Sequence, residues 1–94
     1  MTISITTTAT GGHLILYLIN SNNIRILELH DSDSRQCMLA NGTYRLEWHV
    51  WSPHNASYSI QASISPPNPG FPPFNFQRNY QGSHQDMGGF YFTI

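Results

Sequence analysis

Glu47 and His49 stand two residues apart within GTYRLEWHVWSPHNASYSIQASIS, the run from Gly42 to Ser65. In an extended strand this spacing sends both side chains out of one face, roughly 7 Å apart at the backbone. A carboxylate beside an imidazole can do general acid–base work when the pair is shielded from water and shaped to a substrate. An open sheet face supplies neither condition, so the pair reads as part of a solvated charge pattern. His30, Asp31 and Asp33 offer nitrogen and oxygen ligands at short spacing. A calcium loop would need a central glycine and a closing glutamate, yet no glycine follows Asp31 before Gly42 and no glutamate before Glu47. Zinc would need converging His or Cys, and His13, His30, His49, His54 and His84 form no recognised ligand pair. The segment therefore reads as a turn with capped aspartates, and neither metal nor cofactor is expected. Cys37, followed by Met38 and Leu39, reads as a small buried hydrophobe rather than a nucleophile. No G-x-S-x-G, phosphate loop or H-E-x-x-H occurs, and the chain is not expected to be an enzyme.

Trp51 carries a different chemistry. It shares the polar parity of its strand with Arg45, Glu47 and His49, beside Pro53 and His54. An exposed indole can anchor a protein interface or stack on a sugar ring, because it brings a large area with little rotamer freedom to lose. Cover by the Pro-rich segment Pro66–Pro73 would instead bury it within the monomer. Phe71, between Gly70 and Pro72, is either displayed by a rigid loop or plugs one end of the fold.

The elements that must position these side chains are all strands. Apolar residues recur with period two, and Gly, Pro, Asn and Ser interrupt them. Ile3 and Ile5 lie in a Thr-rich first strand, expected at an edge. HLILYLI, His13 to Ile19, is apolar on both parities, as in a strand covered on both sides. The cluster Asn20–Asn23 turns the chain into IRILEL, whose alternation slips between Ile26 and Leu27 and predicts a bulge. His30 to Asn41 is a polar crossing with a weak edge strand. Tyr44, Leu46, Trp48 and Val50 then alternate strictly. Tyr58, Ile60, Ala62 and Ile64 match them across what reads as a hairpin, which would set Arg45, Glu47, His49 and Trp51 opposite Ser59, Gln61, Ser63 and Ser65. Prolines break the ladder at Pro66–Pro73. FNFQRNY and GFYFTI follow, with Phe74, Phe76, Tyr80, Phe90, Phe92 and Ile94 inward and Arg78 as the odd member.

About seven or eight strands without a helix predict a single all-β domain over residues 1–94. The expected form is a small antiparallel β-sandwich, Greek-key or immunoglobulin-like in outline, with a small barrel as the alternative. The phrase L-x-N-G-x-Y-x-L-x-W, Leu39 to Trp48, resembles the entry to a central strand of immunoglobulin-like modules, without their cysteine pair.

Composition narrows the partners. The net charge is −1, lysine is absent, and charged residues make up only 10% of the chain. That argues against nucleic acid, which needs a basic patch. No apolar run or basic amphipathic helix suggests a membrane. A single cysteine and no signal-peptide pattern point to a reducing, cytoplasmic setting or to a mature form with a restored Met1. The sequons at Asn41 and Asn55 carry little weight, since two chance matches are expected in so Asn/Ser/Thr-rich a chain. Weak self-repulsion favours a protein partner or a homo-oligomer. The expected function is a non-enzymatic interaction module working through an edge strand or an aromatic-bearing face. Arg45, Glu47, His49, Trp51 and Phe71 are its candidate contacts. The alternative is a lectin-like carbohydrate binder, with Trp51 as platform and His49, Glu47, Gln61, Asn55 or His54 as hydroxyl partners.

Overall fold

The structure, a computed structural model, describes all residues from Met1 to Ile94. Its strands are β1 (Thr2–Thr10), β2 (His13–Asn20), β3 (Arg25–His30), β4 (Asp33–Met38), β5 (Thr43–Ser52), β6 (Ala56–Ser65), β7 (Phe74–Tyr80) and β8 (His84–Thr93). They form two four-stranded antiparallel sheets, ordered β4-β1-β6-β7 (sheet A) and β3-β2-β5-β8 (sheet B). The sheets stack as an open sandwich, not a closed barrel. The strand order is the chain's own: β1 and β2, which share a sheet in the immunoglobulin order, lie here in opposite sheets.

Alternation explains the stacking. Each strand turns its apolar parity toward the other sheet, and 18 buried residues make one core. Trp48 sits at its aromatic end, with ring centroids 5.5 Å from Phe74, 5.2 Å from Phe76 and 6.3 Å from Phe90. Gly88 lies directly across from Trp48 and has no side chain to contest that space. Asn20 Oδ1 accepts from the Asn22 and Ile24 amides and so closes the β2–β3 turn, where Asn23 takes a φ of 64°. The expected bulge falls at Ile26, which has no partner because Leu18 pairs with Leu27 and Ile19 with Arg25.

Three expectations are corrected. The Thr-rich β1 is central, between β4 and β6, because the short polar β4 takes the edge. The outer side of β2 has only partial cover: Ile15 and Tyr17 are half-buried there, while Leu14, Leu16 and Leu18 are fully enclosed. Most consequentially, β5 and β6 are not a hairpin. Pro53–Asn55 carries the chain from sheet B to sheet A, so the two strands face each other across the core. A tight turn between two alternating strands permits either a hairpin or an arch, and the periodicity is identical in both. Here Ser52 Oγ donates to the Gly11 carbonyl (2.9 Å) and accepts from the His54 amide (3.1 Å), fixing the arch against the β1–β2 crossing. At that crossing Gly11 adopts a φ of 80°, open to glycine at no steric cost.

Candidate functional site

Register across sheet B places Arg45, Glu47, His49 and Trp51 on its outer face, with neighbours from three other strands. One row runs His30, Ile15, His49, Met87; the next Glu28, Tyr17, Glu47, Gly89; the third Arg25, Ile19, Arg45, Tyr91. His13, Trp51 and Gln85 make a fourth. Trp51 is 41% exposed and stacks on His13 with centroids 5.5 Å apart. The Pro-rich segment does not cover it. That segment packs at the other end of the sandwich, where Gly70 abuts the Thr93 carbonyl and Phe71 lies 4.5 Å from Phe92.

The ionic groups on this face are occupied locally. Arg45 Nε donates to Glu47 Oε1 at 2.8 Å, and its Nη2 reaches Asn23 Oδ1. Glu47 thus turns to Arg45, and no hydrogen bond joins it to His49. The Arg25 guanidinium lies 4.1 Å from the centre of the Tyr17 ring, and His30 is 3.5 Å from Glu28. Between Met87 and Tyr91 the bare backbone of Gly88 and Gly89 leaves an open groove of about 320 Å³, floored by Arg45, Glu47 and His49.

The remaining sequence candidates lie elsewhere. Gln61 is on the outer face of sheet A, the opposite side of the molecule, so it cannot share a ligand with Trp51. The same correction moves Ser59, Ser63 and Ser65. Phe71 is 3% exposed and stacked among Phe90 and Phe92; it plugs the sandwich and presents no anchor. His54 is in the exposed β5–β6 arch, its Nδ1 3.3 Å from Ser52 Oγ. Ser52 is buried and its hydroxyl proton goes to Gly11, so this Ser–His pair closes a turn. Asn55 is exposed in the same arch, and its Oδ1 accepts from the Gly82 amide.

The aspartates behave as caps. Asp31, at a φ of 56°, accepts from the Leu14 amide (3.1 Å), and His13 Nδ1 is 3.4 Å away. Asp33 accepts from the Ser34 amide (2.8 Å), the main reason its carboxyl is held below the ordinary value, with Arg35 assisting. No group of three or more His, Cys, Asp or Glu converges anywhere. Cys37 faces inward opposite Ile3, and burial pushes its thiol up. Near the start of β8, Tyr80 Oη donates to Asp86 at 2.6 Å. Burial first, then that carboxylate, pushes the phenol up to about 12, while the bond from Tyr80 holds Asp86 down. Tyr58, its phenol raised by burial, bonds the Trp51 carbonyl (3.1 Å) and lies 3.0 Å from His84 Nε2.

Sequence reasoning missed Ile15, Tyr17, Met87, Gly89 and Tyr91 as members of the Trp51 face. The signal available was the apolar outer parity of HLILYLI, which is only partly covered within the chain: Ile19 is buried, Ile15 and Tyr17 half-buried. No protein-family model, curated protein or solved structure matches the chain.

Proposed function

We propose that this protein is a non-enzymatic interaction module that docks a protein partner through the outer face of sheet B. One observation carries the reading. The solvent side of an antiparallel sheet ordinarily reads polar. Sheet A follows that rule except for Met38 at the end of its edge strand, whereas sheet B sets Ile15, Tyr17, Trp51, Met87 and Tyr91 on its outer side. Met87 and Tyr91 are 65% and 73% exposed. Two apolar strips, Ile15 with Tyr17 on β2 and Met87 with Tyr91 on β8, flank a polar row of Arg45, Glu47 and His49 on β5, with Arg25 and Glu28 at the β3 edge. Aromatic, methionine and arginine side chains are the ones enriched at protein interfaces. The groove over Gly89 offers room for one partner side chain.

The test compares a sheet B variant, Trp51→Ala with Tyr91→Ser, against a sheet A variant, Gln61→Ala with Ser63→Ala, in crosslinking from the native source. A protein partner retained by the sheet A variant and lost by the sheet B variant supports the reading. Equal loss from both, or a partner crosslinked only to sheet A, overturns it. A second reading rests on the stacked, half-open Trp51: a sugar ring on its free face. A glycan array in which Trp51→Ala abolishes a specific signal would favour that reading instead.

A further inference from the structure

The sandwich has four edge strands, and three are blunted. Strand β3 is short, bulged at Ile26 and charged at Arg25 and Glu28. Strand β4 is equally short, with Asp33 and Arg35 on its inward parity. Strand β7 follows Pro72-Pro73 and carries the inward-parity Arg78. Short length, bulges, prolines and inward charges are the devices by which sheets avoid edge pairing. Strand β8 is the least protected: ten residues, no proline, no bulge against β5, and one inward-parity charge, Asp86, confined near its start and bonded by Tyr80.

Hydrogen bonding fixes which backbone groups of β8 are free. Gly42 and Ile94 exchange both N–H···O bonds, each 3.0 Å. In an antiparallel pair the exchanging residues alternate with non-exchanging ones. Counting back through the unbroken register, Phe92, Phe90, Gly88 and Asp86 also bond to β5. The N–H and C=O groups of Gln85, Met87, Gly89, Tyr91 and Thr93 therefore point out of the sheet, although the Met87 amide donates to its neighbour Asp86 Oδ1 (2.8 Å) and the Thr93 carbonyl lies against Gly70.

We propose that this edge pairs with the same edge of a second copy, antiparallel about a two-fold axis at Gly89. That register is self-complementary. Gly89 meets Gly89 of the second copy and Met87 meets Tyr91. The outward-pointing groups from Met87 to Tyr91 all pair once the Met87 amide exchanges Asp86 Oδ1 for the Tyr91 carbonyl of the second copy, while Thr93 stays under Gly70. No side chain stands at the axis, no charge meets a like charge, and the thioether lies beside an aromatic ring, a favourable contact. On the inward parity the same register sets Phe90, half-buried in the monomer, beside Gly88 of the second copy, whose inward space holds the Trp48 indole. The product is one continuous sheet, β3-β2-β5-β8 followed by its symmetry copy. The two most exposed apolar side chains of sheet B, Met87 and Tyr91, become its centre. A paired stretch from Met87 to Tyr91, about 17 Å long, buries less than a standard interface, so the dimer is weak and concentration-dependent. This goes beyond the face reading and does not rest on it, because backbone edges and not the Trp51 face make the contact.

Sedimentation velocity of the purified protein across the micromolar to millimolar range tests the proposal, together with amide hydrogen exchange at both extremes. The expected result is a monomer–dimer equilibrium in which the Met87, Gly89 and Tyr91 amides gain protection as concentration rises. Phe90 and Phe92 amides stay protected throughout, which also reports that the fold is intact. Met87→Lys with Tyr91→Lys should weaken association by at least about tenfold, whereas Met38→Lys on the β4 edge should leave it unchanged. A strict monomer at millimolar concentration overturns the proposal. So does a dimer that forms without new protection at Met87, Gly89 and Tyr91, or one that survives the double lysine variant. A partner-binding result on the sheet B face alters neither outcome.

Discussion

Replacing Gly88 with alanine probes how the aromatic end of the core is built. An ideal Cβ at Gly88 would stand 2.6, 2.7 and 2.9 Å from Cζ2, Cε2 and Nε1 of Trp48. Carbon atoms in good contact sit at about 3.5–4.0 Å, so the overlap is on the order of 1 Å. The indole has little room to retreat, since Phe74, Phe76 and Phe90 pack around it and it is only 7% exposed. Overpacking of this kind costs about 1–3 kcal/mol. Alanine returns roughly 0.4–1 kcal/mol by stiffening the unfolded chain, which leaves a net loss of about 1–2 kcal/mol. For a domain of this size each kcal/mol is worth about 4–8 °C, so Tm should fall by roughly 5–15 °C.

Urea and thermal unfolding followed by far-UV circular dichroism would measure that loss. The decisive arm is a double-mutant cycle with Trp48→Leu. Trimming the indole makes room, so Gly88→Ala should cost much less in the Trp48→Leu background than alone, a coupling of about 1 kcal/mol or more. If Gly88→Ala is neutral, or the two changes simply add, Trp48 does not occupy the space above Gly88 and the account of this core is wrong.

Tyrosine absorbance titration should show one phenol, Tyr80, ionising at about 12, well above its ordinary 10.0. A folded value above the unfolded one means its contribution to stability is complete below pH 10 and is lost as pH rises toward 12. Asp86→Asn should bring that titration part-way back, because the larger cause, burial, remains. Phe71→Ala should cost about 3–5 kcal/mol, as expected for a buried plug. Trp51→Ala, on an exposed site, should cost about 1 kcal/mol or less, so chemical denaturation of the two variants separates plug from surface.

The fold was legible where alternation decides it. Tyr44 to Val50 and Tyr58 to Ile64 announce inward faces from their spacing alone, the Asn20–Asn23 turn announces itself by residue type, and the slip at Ile26 is visible as a broken period. What alternation cannot encode is which strands become neighbours. A Thr-rich β1 satisfies the same pattern at an edge or in the middle, and β5 followed by β6 satisfies it as a hairpin or an arch. That single ambiguity put Gln61 beside Trp51 when the molecule sets them on opposite sides. The Arg45–Trp51 row itself was read correctly as one face. Its neighbours were not, because Met87, Gly89 and Tyr91 reach it only through the β5–β8 pairing, some forty residues apart in sequence.

The low charge content also finds a place in the fold. It is concentrated in absence on one side: the outer parity of β1 is Thr or Ser throughout, that of β6 Ser or Gln, that of β7 Asn or Gln, and β4 adds Ser34, Gln36 and Met38. Sheet B and the loops hold most of the ionic groups. Apart from Met38 at the β4 edge, side A therefore meets water through hydroxyls and amides, without charge repulsion to keep copies apart. Gln61→Lys with Ser63→Lys adds two charges where nothing is packed. Stability should move by no more than about 0.5 kcal/mol, while the ammonium sulfate concentration needed for precipitation rises. Thermal unfolding and a precipitation curve on the same samples decide it. A clear loss of stability would show that this face carries packing the Ser/Thr/Gln surface does not reveal. An unchanged precipitation point would show that contacts between copies run through sheet B and its β8 edge, leaving side A a bystander.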